Sequence, residues 1–210
     1  MENEGVNKLT QLLDENKGKR KFTQSVDLSI NFTGIDFKKQ ENRLNLEIKL
    51  PNGTGRTSKV IVFTDDRNQA AKAQQSGADV VSSAELPAIA TDKKKLTELL
   101  EYNLLAQPAL MPQIAKALGQ FLGPRNKMPR PIVGGDVSTL ISNMSQSIFI
   151  RSRGENLPTI HCPIGNEKMT AQQIAANADE VITAFQKKFG RQTVKSVYAK
   201  LTMSKPIRLV

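Results

Sequence analysis

Two stretches of the chain alternate strictly between apolar and polar positions. In SVDLSINF, residues 25–32, Val26, Leu28, Ile30 and Phe32 face one way and Ser25, Asp27, Ser29 and Asn31 the other. In RLNLEIKLP, residues 43–51, Leu44, Leu46, Ile48 and Leu50 are apolar, with Asn45, Glu47 and Lys49 between them. A period of two marks a strand with one buried and one wet face, and the turn-rich TGIDFKKQEN between the two stretches predicts a long antiparallel pair. The opening VNKLTQLLDEN has a different period: Val6, Leu9, Leu12 and Leu13 fall on one helical face, which stops near Gly18.

The middle of the chain changes rhythm. KVIVF, DVVS and NLLAQPALM are short continuous apolar runs, separated by the helical RNQAAKAQQSG and DKKKLTELLEY and followed by the helical PQIAKALGQF. Strand and helix in alternation at this spacing predict parallel βαβ units with helices covering the sheet. The first rhythm then returns. SIFIRSR reads as a strand, and PTIHCPI as a strand bounded by prolines. TAQQIAANADEVITAFQKKFG reads as a helix, with Thr170 and Gln173 at capping-box spacing and an apolar stripe of Ile174, Ala178, Val181, Ile182, Phe185 and Phe189 that ends at Gly190. KSVYAKLTM closes the pattern, with Val197, Ala199 and Leu201 opposite Ser196, Tyr198, Lys200 and Thr202. The simplest architecture is an α/β protein of two domains. Residues 1–62 and 150–210 form a discontinuous outer domain, and 63–149 form an inserted parallel α/β domain. Two crossings near 60–66 and 147–157 would permit hinge motion.

Charge follows the same division. The 210 residues hold 30 Lys and Arg against 20 Asp and Glu, a net +10; the outer part has 21 cations and 12 acids, the inner part 9 and 8. An excess of this size favours a polyanionic partner. Nucleic acid suits it better than a membrane, because no strongly apolar helical face accompanies the charge. With no Trp, two Tyr and eight Phe, the core must be mainly aliphatic. No apolar window is long enough for a transmembrane helix and the N-terminus lacks a signal-peptide pattern, so the expectation is a soluble intracellular protein. One Cys and one His leave neither a disulfide nor a zinc set. Neighbouring strand residues point to opposite faces, so His161 and Cys162 are expected to be an exposed imidazole and a packed thiol rather than a base and its nucleophile.

Several motifs fall short of chemistry. LPNGTGRTS lacks the four-residue spacing of a P-loop and has Arg56 where lysine is required; a turn and interdomain connection is the better use of its glycines. No G-x-G-x-x-G dinucleotide fingerprint is present, and no cofactor is implied. The lysines at 93–95 suit a solvated helix face, and Asp65 and Asp66 suit capping of the helix that begins near Asn68. The polar side of the outer sheet is more informative. If the terminal strand joins the long pair, Ser25, Asp27, Lys49, Ser196, Tyr198, Lys200 and Thr202 share a face beside the basic KGKRK of 17–21. Short hydroxyls flanked by cations suit phosphate and 2′-hydroxyl contacts, although a merely solvated sheet face has the same pattern.

Four segments in order, FTQSVDLSINF (22–32), LPNGTGR (50–56), IAKALGQFLGPRNKMP (114–129) and SVYAKLTMSKP (196–206), resemble a known family from end to end. It is the archaeal-type form of large-subunit ribosomal protein number one, the protein part of the mobile stalk beside the exit site for deacylated tRNA. The resemblance implies a split α/β outer domain, an α+β sandwich, and an inserted three-layer Rossmann-like domain. It implies a non-catalytic protein, monomeric when free, that binds large-subunit rRNA, supports release of tRNA from the exit site, and represses translation by binding its own mRNA. Carried over residue by residue, the RNA contacts are Phe22, Ser25, Asp27, Ser196, Thr202 and Met203; Lys200 joins them from the polar face. Phe22 has the parity of Val26 and is expected at the sheet's edge, beyond the alternation. Ser204 also falls at the site, where the family has a glycine, so the geometry of that turn is in question. The family also often has Glu in place of Gln24 and His in place of Asn52.

The loop FLGPRNKMPRP, residues 121–131, has three prolines and a glycine, and no acid separates Lys116 from Arg130. Its Arg125 and Lys127, with Lys21 of the outer domain, are expected to make secondary RNA or interdomain contacts, and its prolines to stiffen the surface that shapes RNA access. The competing readings are a nucleotide-dependent enzyme built on the inner sheet and a generic RNA-binding protein.

Overall fold

The computed structural model describes all residues except 1–2, 37–38, 40–41, 57–58, 134–135, 152–156 and 210. The chain divides into two compact units, 1–56 with 146–210, and 57–145. The expected crossing at 147–157 includes residues 152–156, which lie outside the described residues, as do residues 57–58 just before the expected crossing at 60–66. The expected boundaries at 62/63 and 149/150 fall inside strands. The change of hydrophobic rhythm marks a strand's interior, whereas the chain passes between units before the strand begins.

In the discontinuous unit, helix α1 (Asn3–Asn16) is followed by β1 (Ser25–Phe32) and β2 (Asn45–Lys49). The inserted unit contributes β3 (Val60–Phe63), α2 (Arg67–Gln75), β4 (Asp79–Val81), α3 (Leu86–Thr91), α4 (Lys93–Glu98), β5 (Asn103–Ala106), α5 (Met111–Leu122), β6 (Arg130–Pro131) and α6 (Val137–Gln146). The first unit then resumes with β7 (Ser147–Arg151), β8 (Thr159–Asn166), α7 (Ala171–Phe189), β9 (Val194–Leu201) and β10 (Ile207–Arg208).

The discontinuous unit contains an antiparallel sheet in the order β10-β9-β1-β8 and a separate ribbon of β2 with β7. The expected long pair of β1 with β2 does not form. Alternation fixes which face of a strand is buried but not which strand lies beside it. β1 is bounded by β8 and β9, while β2 places Leu46 opposite Ile150 and Ile48 opposite Ile148 of β7. Lys49 therefore lies on the ribbon opposite Ser147, away from the polar face of the larger sheet. A second correction concerns Pro163, which lies inside β8 instead of ending it. β8 is an edge strand, where a missing N–H is tolerated, and the register slips between Val26 and Asp27 as the ladder passes the proline.

One aliphatic core joins the apolar face of this sheet to α1, α7 and the ribbon; Leu28, Ile30, Ile164, Ile174, Phe185 and Leu201 are all fully enclosed in it. Phe32 packs edge-on to Phe185 with centroids 5.5 Å apart. At the start of α7, Thr170 and Gln173 form the expected capping box, and Gly190 (φ +92°) follows its last residue.

The inserted unit has a parallel sheet in the order β4-β3-β5-β6. Alternate residues of its central strands enter two separate cores. Ile61, Phe63, Leu104 and Ala106 pack with α3 and α5; Val60, Val62 and Leu105 pack with α2 and α6. This is the three-layer Rossmann-like arrangement. Asp66 caps α2 by accepting from the Asn68 N–H at 2.9 Å, and Asp65 accepts from the Ser83 N–H at 2.8 Å. Both carboxylates thus serve local structure.

His161 is exposed and Cys162 is buried at 3% exposure. Burial, helped by the Asp27 carboxylate, pushes the thiol up from 9.0 to about 12. The folded thiol stays protonated where the unfolded one ionises, so its contribution to stability is complete below pH 9 and is lost as the pH rises toward 12. Native protein should resist iodoacetamide at pH 8 and react once unfolded. Denaturant titrations should show stability falling above pH 9 by up to about 1.4 kcal/mol per pH unit, a slope that Cys162→Ala removes.

Candidate nucleic-acid interface

The polar face of the larger sheet is built as rows running across β8, β1 and β9. In the first, the Thr159 hydroxyl donates to Asn31 Oδ1 at 2.9 Å and Asn31 Nδ2 donates to Ser196 Oγ at 2.9 Å. In the second, Ser29 lies between His161 and Tyr198; in the third, Asp27 lies between Pro163 and Lys200. The second and third rows line an open depression of 610 Å³ together with Pro206.

Beyond the third row the sheet ends in a hydrogen-bonded turn. Thr202 N–H donates to the Ser25 carbonyl at 3.1 Å, and Ser25 N–H donates to Thr202 Oγ1 at 3.2 Å. Met203 N–H donates to Gln24 Oε1 at 3.2 Å. Gln24 is buried, and its Nε2 donates to the Asn16 carbonyl and to Glu167 Oε2, each at 3.3 Å. The turn at 202–204 is therefore fastened to the residues just before β1. Two large apolar side chains of these segments are exposed, Met203 of the turn at 57% and Phe22, before β1, at 48%. Phe22 lies in a bend before β1, outside the alternation, as its parity required.

Ser204 needs no special backbone. Among the described residues only Asn126 is a non-glycine with positive φ. The Ser204 hydroxyl accepts from the Leu201 N–H at 2.9 Å, and its own N–H donates to the Leu201 carbonyl at 3.1 Å. The serine closes the turn with a side-chain bond that glycine cannot make.

LPNGTGR supplies a residue that sequence reasoning passed over. The Arg56 guanidinium donates to Ser25 Oγ. Arg56 reaches that position because two asparagines grip the loop before it. Asn177, fully buried, accepts from the Asn52 N–H at 3.0 Å and donates to the carbonyls of Gly53 at 2.7 Å and Ile164 at 2.8 Å. Asn166 donates to the Gly55 carbonyl at 2.8 Å and accepts from the Lys168 N–H at 3.0 Å. Gly53 and Gly55 adopt φ of +61° and +68°. The two closely spaced glycines were the available signal: they allow a left-handed double turn that brings the following arginine back against the sheet.

The expected site residues thus differ in what they offer a ligand. Thr202, Met203, Phe22 and Lys21 are exposed, and Asp27, Lys200 and Ser204 are half-buried. Ser25 and Ser196 are buried and engaged by Arg56 and Asn31, so they brace the surface more than they present it. Lys19, Arg20 and Lys21 lie between α1 and Phe22, after Gly18 at φ +70°. Arg125 and Lys127 belong to the inserted unit and are used locally. The Arg125 guanidinium stacks 4.0 Å over the Phe121 ring and donates to the Phe121 carbonyl at 3.0 Å, and Lys127 Nζ donates to the Tyr102 carbonyl at 3.3 Å. No group of three or more His, Cys, Asp or Glu suited to a metal ion occurs among the described residues, and no described helix is long and apolar enough to cross a membrane.

Comparison with known proteins gives a consistent result. The profile described as the Ribosomal protein L1p/L10e family matches residues 12–205. The large ribosomal subunit protein uL1 of Archaeoglobus fulgidus is 38% identical over 213 residues, covering 97% of each chain. That of Pyrococcus abyssi is 37% identical over 211 residues, covering 96% of this chain and 95% of its own. The Thermofilum pendens protein of the same name is 41% identical over 196 residues, covering 91% and 86%.

The Gly55 turn can be tested directly. A methyl group on Gly55 would lie 2.5 Å from Asn166 Nδ2 and 3.0 Å from Met169 Sδ, in a backbone conformation already unfavourable for an L-residue. Gly34, at φ +77°, has nothing within 4 Å. Gly55→Ala should therefore cost about 2–3 kcal/mol in a denaturant titration and Gly34→Ala only about 1 kcal/mol.

Proposed function

The chain belongs to the ribosomal protein L1p/L10e family, and from that premise we propose that it is a structural constituent of the large ribosomal subunit, without catalytic activity, that binds large-subunit rRNA. The observation that carries the reading is the turn at 202–204. Exposed Thr202 and Met203 sit on a turn hydrogen-bonded to Ser25 and Gln24, which follow exposed Phe22 in the chain, with the Arg56 guanidinium against Ser25 Oγ.

The chemistry suits folded RNA. Two apolar side chains offer stacking and van der Waals contact to exposed bases, while Thr202 Oγ1 and Ser204 Oγ can reach 2′-hydroxyl or phosphate oxygens. Lys200 and the 17–21 segment supply sequence-independent attraction to the backbone. Because the donors are already fixed by buried hydrogen bonds, little conformational freedom remains to be lost on binding.

In the finer form of the proposal, the rRNA is that of the mobile stalk, the protein supports departure of deacylated tRNA from the exit site, and it represses its own mRNA through a similar RNA structure. It acts as a monomer when free and works in the cytoplasm on the ribosome. Each of these roles is what the resemblance of the four sequence segments implies. The messenger role needs only that one surface accept two RNAs of like shape.

The test is the affinity of the full chain for a stalk-rRNA fragment, at fixed salt, with unrelated structured RNA as competitor. Met203→Ala and Thr202→Val should each weaken binding by about 1–3 kcal/mol, and Arg56→Ala should do so by releasing Ser25. Lys200→Ala should chiefly lower the slope of log affinity against log salt, by about one. Equal losses on random duplex RNA would contradict a specific site.

A further inference from the structure

The second row of the polar face has a composition that the turn at 202–204 does not explain. His161, Ser29 and Tyr198 stand side by side on β8, β1 and β9, so two flat rings flank one of the smallest polar side chains. His161 is exposed and Tyr198 half-buried, and the floor between them opens into the 610 Å³ depression. Cys162 faces the core, so His161 has no thiol to activate and is left for contact.

Spacing decides what the row can hold. Adjacent strands lie about 4.8 Å apart, so the two ring-bearing residues are separated by about 10 Å across the intervening serine. A planar group stacked on both sides needs about 7–8 Å between the outer rings, and a second planar layer would need about 11 Å. One flat ring fits once the two flanking side chains lean about 1 Å each toward it, whereas two layers need more room than the row has. The third row, toward Thr202 and Met203, pairs Asp27 with Lys200 across β1 and β9. A carboxylate only accepts hydrogen bonds, so it favours an amine-bearing base over uracil. Lys200, its neighbour in the row, supplies a cation for the phosphate leading toward the 202–204 turn.

We propose that the His161–Ser29–Tyr198 row is a slot for one unpaired, amine-bearing nucleobase of the bound RNA, stacked between imidazole and phenol with Ser29 beneath it. The slot extends the RNA-binding reading of this face and rests on it. It is contiguous with the Thr202–Met203 turn through the Asp27–Lys200 row, so the two would read successive nucleotides of one strand.

The experiment uses the full chain and the stalk-rRNA fragment, with each unpaired nucleotide in turn replaced by an abasic residue. Tyr198→Ala and His161→Ala should each weaken binding by about 5- to 150-fold. Tyr198→Phe should regain most of what Tyr198→Ala loses, and Ser29→Leu, which keeps both rings but fills the floor, should also weaken binding. At one nucleotide, abasic replacement should weaken the wild-type protein and leave Tyr198→Ala no weaker than before. If Tyr198→Ala and His161→Ala bind as tightly as wild type while Met203→Ala does not, the slot is overturned and the RNA-binding reading stands. Losses matched by no single abasic position also overturn it. If the wild-type chain fails to distinguish the fragment from unrelated RNA, both readings fall.

Discussion

The side chain of Asn177 is the contact on which the candidate interface depends most. It is fully enclosed in the core of the discontinuous unit, where an unpaired amide would be costly, and it is satisfied only by the backbone of the 52–53 turn and of β8. This ties two separate stretches of sequence to a single position on α7. The left-handed turn at Gly53 and Gly55 follows from that grip, and the placement of Arg56 against Ser25 follows from the turn. A polar group in an aliphatic core thus sets the position of a cation at the surface.

The interface is built by bracing. Ser25, Gln24 and Ser196 would read as ligand contacts from their polarity, yet each is buried and committed to a neighbour. What they hold in place is a small exposed set in which apolar and polar groups alternate over short distances. Under the proposed function such a surface would distinguish RNAs by shape and by stacking, while the surplus of lysine and arginine would supply attraction that any RNA feels. On that reading affinity and selectivity come from different residues.

Much of this was legible in the chain. The alternation of β1 and β9 is strict because one face is enclosed, so a slip by one residue would bury Asp27 or Lys200. The capping box of α7 and the parallel sheet of the inserted unit were equally direct. The pairing of strands was not legible: β2 has the same alternation as β1, and only Leu46 and Ile48 meeting Ile150 and Ile148 decides its partner. Pro163 misled for a related reason, because an edge position, invisible to local pattern, is what admits it inside β8. Arg56 was hidden because its role depends on Asn166 and Asn177, more than a hundred residues away, rather than on its neighbours.

The topology of β1 also governs the order in which the molecule can be made. Its hydrogen-bonding partners on both sides, β8 and β9, are synthesised only after the entire inserted unit, whose parallel sheet is complete by residue 131. During translation the inserted unit therefore has everything it needs while β1 waits with Leu28 and Ile30 uncovered and both edges open. The nascent chain must keep that strand from pairing with others until the C-terminal segment emerges. Its regularly spaced polar residues Asp27, Ser29 and Asn31, and the lysines and arginine just before it, are of the kind that discourages pairing between exposed strands.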